Sequence, residues 1–439
     1  MSDPPLGLYT DLYELRMVDS FLRGSMTQPA TFSLYVRPNP RRPWLVAGGL
    51  HAALDVIDRF TYGADALDYL RQQGVSEQAL QWLADFQPRG DITAVAEGTV
   101  VLANEPLLEI TAPLPQAQLV EAAVMNVVHL WTLIATKAAR CALAAGDRTV
   151  VDFGMRRAHG LETSVNTAMA AYLGGCAATS NVEAGRRAGI PVVGTMAHSY
   201  IQAHDEEITA FRRFAADYPD SSVLLVDTYD TITGVRRAIT VADELAARGH
   251  GLRGVRLDSG DLAELATIAR KMLDDAGHTD VQVFASGGID EHVIAELGDA
   301  PIDAFGVGTA LTVSADEPAV DIAYKLVDYD GRPRAKYSEH KVLLPGAKQT
   351  FRQGGPDTDV LGCRHEDLAG RELLQPVCTD GKRHDQADLG AAQQRARGEL
   401  AALPASWRSL EPFDAPPQPR VSAALADLAA RTHEAVMPT

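Results

Sequence analysis

From residue 149 onward the chain repeats one pattern: a short, largely apolar run, a polar cluster, then a longer stretch with apolar residues at helical spacing. The runs are Thr149 to Phe153, Val192 to Thr195, Val223 to Val226, Gly254 to Leu257, Val281 to Ala285 and Ala304 to Val307. They are continuous rather than alternating, as expected of strands covered on both faces. Helical spacing marks Thr240 to Ala247, Asp261 to Ala276 and Glu291 to Leu297. Strand and helix in alternation predict a parallel α/β barrel. Upstream, Thr31 to Tyr35 alternates weakly, and Ile92 to Ile110 reads as short strands broken by Gly98 and Pro106, which together predict a small mixed sheet. Gln116 to Ala145 is Ala-rich and free of proline, predicting one or two long buried helices. Beyond Asp328 the alternation stops. Lys336 to Arg352 is turn-rich and strand-like and is expected to return to the N-terminal sheet, and a helical end is expected near Val421 to Ala430.

The predicted organisation is therefore an α/β chain, with an irregular TIM-like barrel over residues 119–328. An N-terminal domain covers 1–118 and is completed by about 329–439. A length of 439 residues suits two packed units. The net charge of −18 and the absence of a basic run exclude nucleic acid and anionic membrane as partners. Anionic substrates would then need backbone N–H groups and a few chosen cations. The four cysteines, Cys141, Cys176, Cys363 and Cys378, are too scattered for a disulfide framework. Met1 to Leu15 lacks a leader pattern, and no run of about 18 apolar residues is evident. A cytoplasmic enzyme is the expectation.

In parallel barrels the chemistry sits at the carboxyl ends of the strands, and the polar clusters fall there. Ser286-Gly287-Gly288 and Gly306-Val307-Gly308-Thr309 follow successive strands. Glycine admits backbone N–H groups close to oxygen, so the pair suits one phosphate cup, although tight turns alone would also use these glycines. Asp227 and Asp258 follow strands directly. They either cap the next helices or hold Mg²⁺ or ribose hydroxyls. His198, just past a predicted strand, is either a structural residue or a nucleophile toward phosphorus. Phe153 with Arg156 and Arg157 suits a flat anionic ring; the alternative is a core phenylalanine with two surface ion pairs. Asp205, Glu206 and Glu207 read as a solvated helix start. Cys363, His365 and Cys378 lack zinc spacing.

These motifs, in this order, resemble the nicotinate phosphoribosyltransferase family. The resemblance runs from about Leu8 to Arg352. It rests on Tyr9-Thr10-Asp11-Leu12-Tyr13, Phe153-Gly154-Met155-Arg156-Arg157, Gly194-Thr195-Met196-Ala197-His198-Ser199, Asp227-Thr228-Tyr229-Asp230, Arg256-Leu257-Asp258-Ser259-Gly260-Asp261, and Lys336-Tyr337-Ser338 through Leu344-Pro345-Gly346. It implies an N-terminal α/β sandwich domain beside the barrel, in a homodimer with shared active sites. The implied reaction joins nicotinic acid to phosphoribosyl pyrophosphate, with ATP and Mg²⁺. His198 would be transiently phosphorylated and supported by Asp227, and Asp258 would meet ribose or Mg²⁺. Phe153 and a partner's Tyr13 would sandwich the pyridine ring. Arg156 and Arg157 would lie near the carboxylate or phosphate, Gly287, Gly288, Gly308 and Thr309 would take the 5′-phosphate, and Arg256 and Ser286 would contact substrate. Thr179 and Ser180 would line the base site. Amide-using relatives carry an aspartate where Ser180 aligns, so its absence favours the acid over the amide.

Quinolinate phosphoribosyltransferase is the nearest rival, but it needs no ATP and leaves the His198 motif unexplained. A sugar-phosphate aldolase or isomerase would need a lysine or acid base at a strand end, and none of the six clusters offers a lysine. A partner-binding scaffold would not need polar residues at every strand end.

Overall fold

A computed structural model describes residues 5–337 and 343–436. The chain divides into two compact units, Lys137–Pro318, and Met1–Thr136 with Ala319–Thr439.

The Lys137–Pro318 unit is built on continuous apolar strands. Val223, Leu224, Leu225 and Val226 are all at most 5% exposed, as are Val255, Leu257, Val283, Ala285, Phe305 and Val307. Burial on both faces is what a strand without alternation requires. Six parallel strands stand in the order Ala178–Thr179, Thr149–Asp152, Ala304–Val307, Gln282–Ser286, Gly254–Leu257, Val223–Leu225. Among the described residues the two outer strands do not pair with each other, so the sheet is a curled, incompletely closed barrel. Because every strand is parallel, Thr179, Asp152, Val307, Ser286, Leu257 and Leu225 end on one rim.

One predicted strand is corrected. Val192 to Thr195 forms only a single bridge, from Val192 to Thr179, and the sixth strand is Ala178–Thr179 instead. Pro191 and Gly194 bracket the valines, and Val192 and Val193 are 46% and 41% exposed, so the run lacks the double cover that a central strand needs. The helix caps also resolve an open alternative. Asp230 caps the helix Thr231–Ala246 through Thr233 N–H, and Asp261 caps Leu262–Asp275 through Glu264 N–H. Asp227 and Asp258 cap neither helix. The segment 205–207 is less solvated than expected: Glu207 is buried and accepts from Arg237 Nη1 at 2.7 Å.

The other unit holds a seven-stranded antiparallel sheet. Its order is Arg332–Pro333, Ile322–Tyr329, Pro29–Val36, Pro106–Pro113, Asp91–Val95, Leu374–Thr379, Lys382–Arg383. Later chain does complete the N-terminal sheet, but through Ile322–Tyr329 and Leu374–Thr379. The segment expected to do so ends in the strand Lys348–Arg352, which joins a separate four-stranded sheet with Arg371–Glu372, Val360–Cys363 and Arg420–Val421. Residues 338–342 of the Lys336 to Gly346 motif lie outside the described residues. Gln116 to Ala145 folds as the helices Leu114–Leu119 and Glu121–Ala145. The second is 25 residues long and apolar enough by composition to cross a membrane, which the sequence reading missed. Two-thirds of its most apolar window, 67%, is nevertheless buried within the protein, as in a core helix.

Candidate active site

The two glycine loops stand side by side, since Ser286 pairs with Gly306 across adjacent strands. Gly287 has φ +88°, and a Cβ there would lie 2.1 Å from the Asp258 carbonyl oxygen, so only glycine fits. Gly288 has φ +67° with open space around its Cα. Gly308 and Thr309 begin the short helix Thr309–Thr312, where Thr309 is exposed. The Ser286 hydroxyl is not free for a ligand; it donates to Asp258 Oδ1 at 2.5 Å.

Asp227 and Asp258 form a chain of support toward His198. Asp227 is buried, and its Oδ2 accepts from Asp258 N at 2.9 Å and from Ser259 Oγ at 2.6 Å. Among the described residues, its buried Oδ1 has no hydrogen-bond partner. It makes no hydrogen bond to His198. The imidazole Nδ1 instead meets Thr228 Oγ1 at 3.1 Å, and Nε2 lies 3.8 Å from Asp258 Oδ2. The side chains of His198 and Asp258 are 41% and 33% exposed, so the Nε2 face is open to a reactant.

Beyond the two glycine-loop strands, Asp152 is 3% exposed and accepts from Gly154 N at 2.8 Å and from Thr179 Oγ1 at 2.7 Å. Burial raises its pKa, and the two hydrogen bonds oppose that shift. Thr179 is fully buried, so its hydroxyl orients Asp152 and does not face a ligand. Ser180 N–H is bound to the Asp152 carbonyl, leaving a half-buried side chain at the rim. Phe153 follows Asp152 with its ring against Gly306, where a Cβ would come within 2.4 Å of it. Arg156 and Arg157 are exposed on the turn Met155–Arg157, and among the described residues no carboxylate pairs with either. Two exposed guanidiniums a few residues after an aromatic side chain suit an anionic ring.

Arg256 is placed differently. Its Nη1 donates to Thr195 Oγ1 at 2.7 Å and its Nη2 to the Met196 carbonyl at 3.1 Å, pinning the segment that leads to His198. Burial lowers its pKa, the carboxylates of Asp258 and Asp227 oppose this, and the nearby charge of Arg156 adds to it. Tyr13 belongs to the other unit. It stands 48% exposed in the first turn of Leu12–Arg23, and burial of its hydroxyl, with Glu121 and Glu14 nearby, raises its pKa.

Among the described residues, Cys363, His365 and Cys378 form no metal-ligand cluster. Sequence reading gave no role to Thr228, Ser259 or Thr195, and counted Gly306 only among the glycines of the phosphate cup. The first three sit inside motifs whose charged members drew attention, and Gly306 shows its function only through the ring packed on it.

Sequence comparison matches the nicotinate phosphoribosyltransferase (NAPRTase) N-terminal domain over residues 8–129 and the nicotinate phosphoribosyltransferase (NAPRTase) family over residues 149–344. Nicotinate phosphoribosyltransferase pncB2 of Mycobacterium tuberculosis is 47% identical over 413 residues, covering 92% of this chain and 89% of the relative. The Bacillus subtilis nicotinate phosphoribosyltransferase is 42% identical over 362 residues, covering 80% and 74%. Among solved structures, human nicotinic acid phosphoribosyltransferase superposes with a TM-score of 0.85 at 25% identity, covering 96% of this chain and 99% of that one.

Proposed function

The chain belongs to the nicotinate phosphoribosyltransferase family, and we propose that it runs that family's reaction with ATP, through a transient phosphohistidine at His198. The reaction takes nicotinate and phosphoribosyl pyrophosphate to nicotinate mononucleotide and pyrophosphate, in NAD salvage. The pyridine nitrogen attacks C1′ as pyrophosphate leaves, so no enzyme base is required. The protein's work is orientation and charge stabilisation. In this reading Phe153 carries the pyridine ring, with Arg156 and Arg157 toward its carboxylate and Ser180 at the edge of the base site. Gly287, Gly288, Gly308 and Thr309 take the 5′-phosphate. Thr179, Ser286 and Arg256 act by orienting Asp152, Asp258 and the Thr195–Met196 segment.

The observation that carries the ATP step is the pose of His198. Nδ1 is held by Thr228, while Nε2 faces Asp258, whose other oxygen is bound by Ser286 at the glycine loop. Nε2 is thus free to attack the γ-phosphorus of ATP, with ADP leaving, and Asp258 can stabilise the charged imidazole. Hydrolysis of the phosphohistidine then returns phosphate. The carboxylates also fit Mg²⁺, which takes one or two acids alongside phosphate oxygens. Among the described residues nothing donates to Asp258 Oδ2, which lies 3.8 Å from His198 Nε2, and the buried Oδ1 of Asp227 is uncommitted. Bound there, Mg²⁺ would neutralise charge on the departing pyrophosphate.

The same reading makes the protein a cytoplasmic homodimer in which Tyr13 of one subunit closes the base site of the other. Exposed Leu8, Tyr9 and Leu12 around Tyr13 and four free, buried cysteines support this. The test is product formation from labelled nicotinate, nicotinamide or quinolinate, with and without ATP, in the native enzyme and in His198→Ala. Nicotinate alone should turn over with ADP release, and His198→Ala should keep weak, ATP-independent transfer while losing stimulation by ATP. Full ATP coupling in that variant would remove His198 from the reaction.

A further inference from the structure

A buried ion-pair cluster lies behind the glycine loops. Lys137 and Arg140, from Glu121–Ala145, face Glu291, the first residue of the helix Glu291–Glu296, and Asp316. Lys137 is fully buried and pairs with both Glu291 and Asp316 Oδ1, the latter at 2.6 Å. Arg140 Nε meets Glu291 Oε1 at 3.0 Å. The side chains of Glu291, Arg140 and Asp316 are 0%, 4% and 25% exposed. Two cations thus balance two carboxylates. Although burial favours its neutral form, Lys137 holds the Glu291 carboxyl below its ordinary pKa, so it is ionised. Glu291, His292 and Asp316 alone would resemble a metal site, but the Lys137 ammonium already bridges the two carboxylates.

Where the four residues stand in the chain gives the cluster its meaning. Glu291 comes just after Ser286-Gly287-Gly288, and Asp316 follows the short helix opened by Gly308-Thr309. The core helix therefore grips the segments leaving both loops through a single ammonium group. Buried ion pairs contribute little net stability, because desolvation offsets their attraction, but losing one partner disturbs the geometry strongly. We infer that Lys137, Arg140, Glu291 and Asp316 are positioning residues that hold the two glycine loops in register for the 5′-phosphate of phosphoribosyl pyrophosphate. This rests on the reading of those loops as the phosphate cup.

Steady-state kinetics on the full-length protein tests it. Glu291→Gln keeps the shape and removes one charge, and Lys137→Met removes the shared cation. Each should raise the KM for phosphoribosyl pyrophosphate about tenfold, with kcat and the nicotinate KM within about twofold. Asp316→Asn, at the partly exposed node that the fold tolerates best, should raise it by about threefold. Thr309→Ala, an exposed position in the cup itself, is the control on the reading. An unchanged KM in the cluster variants beside a raised KM in Thr309→Ala overturns the network and leaves the cup standing. An unchanged KM in Thr309→Ala as well overturns the cup, and the network with it. Equal losses in kcat and in both KM values, Asp316→Asn included, would show only a structural core and would also overturn the inference.

Discussion

Replacing Gly306 by alanine tests whether the Phe153 ring carries the base. A Cβ at position 306 would lie 2.4 and 2.5 Å from Phe153 Cδ2 and Cε2, and 3.3 Å from Ser286 Cβ. Ordinary carbon contacts are 3.5–4.0 Å, so something must yield by about 1 Å. The backbone is poorly placed to do so, because Gly306 is paired to Ser286 on one side and to Val151 on the other. The ring is therefore what moves. Losing an aromatic stacking contact costs about 1 kcal/mol, which is about fivefold in affinity. Gly306→Ala should raise the nicotinate KM by about that factor and leave the KM for phosphoribosyl pyrophosphate nearly unchanged. Phe153→Ala should raise the nicotinate KM at least as much, and adding Gly306→Ala to it should cost almost nothing more, since the ring is already gone. Initial rates with labelled nicotinate at saturating co-substrates measure all three variants. A nicotinate KM unaltered by Gly306→Ala, or fully additive effects in the double variant, would refute the assignment of Phe153.

Two further outcomes follow from backbone geometry and buried charge. Gly287→Ala combines φ +88° with a 2.1 Å clash against the Asp258 carbonyl, whereas Gly288→Ala at φ +67° meets open space. The first should cost about 3 kcal/mol and the second about 1, read as urea midpoints, and the reverse order would refute the tight approach of the two loops. Glu14 is fully buried, which raises its pKa from 4.5 to about 7 against the opposing bonds from Thr10 and Ala122 N–H. The folded state then holds a proton that the unfolded state has lost, so Glu14's contribution to stability declines as pH rises from 4.5 to about 7. Glu14→Gln should flatten that decline, gaining roughly 2 kcal/mol relative to the native chain by pH 8. Parallel pH profiles for the two proteins would contradict it.

Much of the site was legible because its signals are local. A strand buried on both faces writes itself as a continuous apolar run, and in a parallel sheet the polar residues that follow each run must share one rim. Phe153, Asp227, Asp258 and the two glycine loops follow their strands in that way. The rule failed at Val192 to Thr195, where an apolar run bracketed by Pro191 and Gly194 remained half exposed. The sequence left open whether Asp227 and Asp258 cap the next helices. Only the helix starts decide that Asp230 and Asp261 cap instead. The sequence by itself determined the alternation of strand and helix and which polar residues follow the strands, since both depend on neighbours within a few residues. The tertiary structure alone decided that Thr228 rather than Asp227 touches His198, that Arg256 is tied to Thr195 and Met196, and that Lys137 meets both Glu291 and Asp316. Those pairings join residues far apart in the chain, and strand register and helix packing, to which no local pattern is sensitive, bring them within hydrogen-bonding reach.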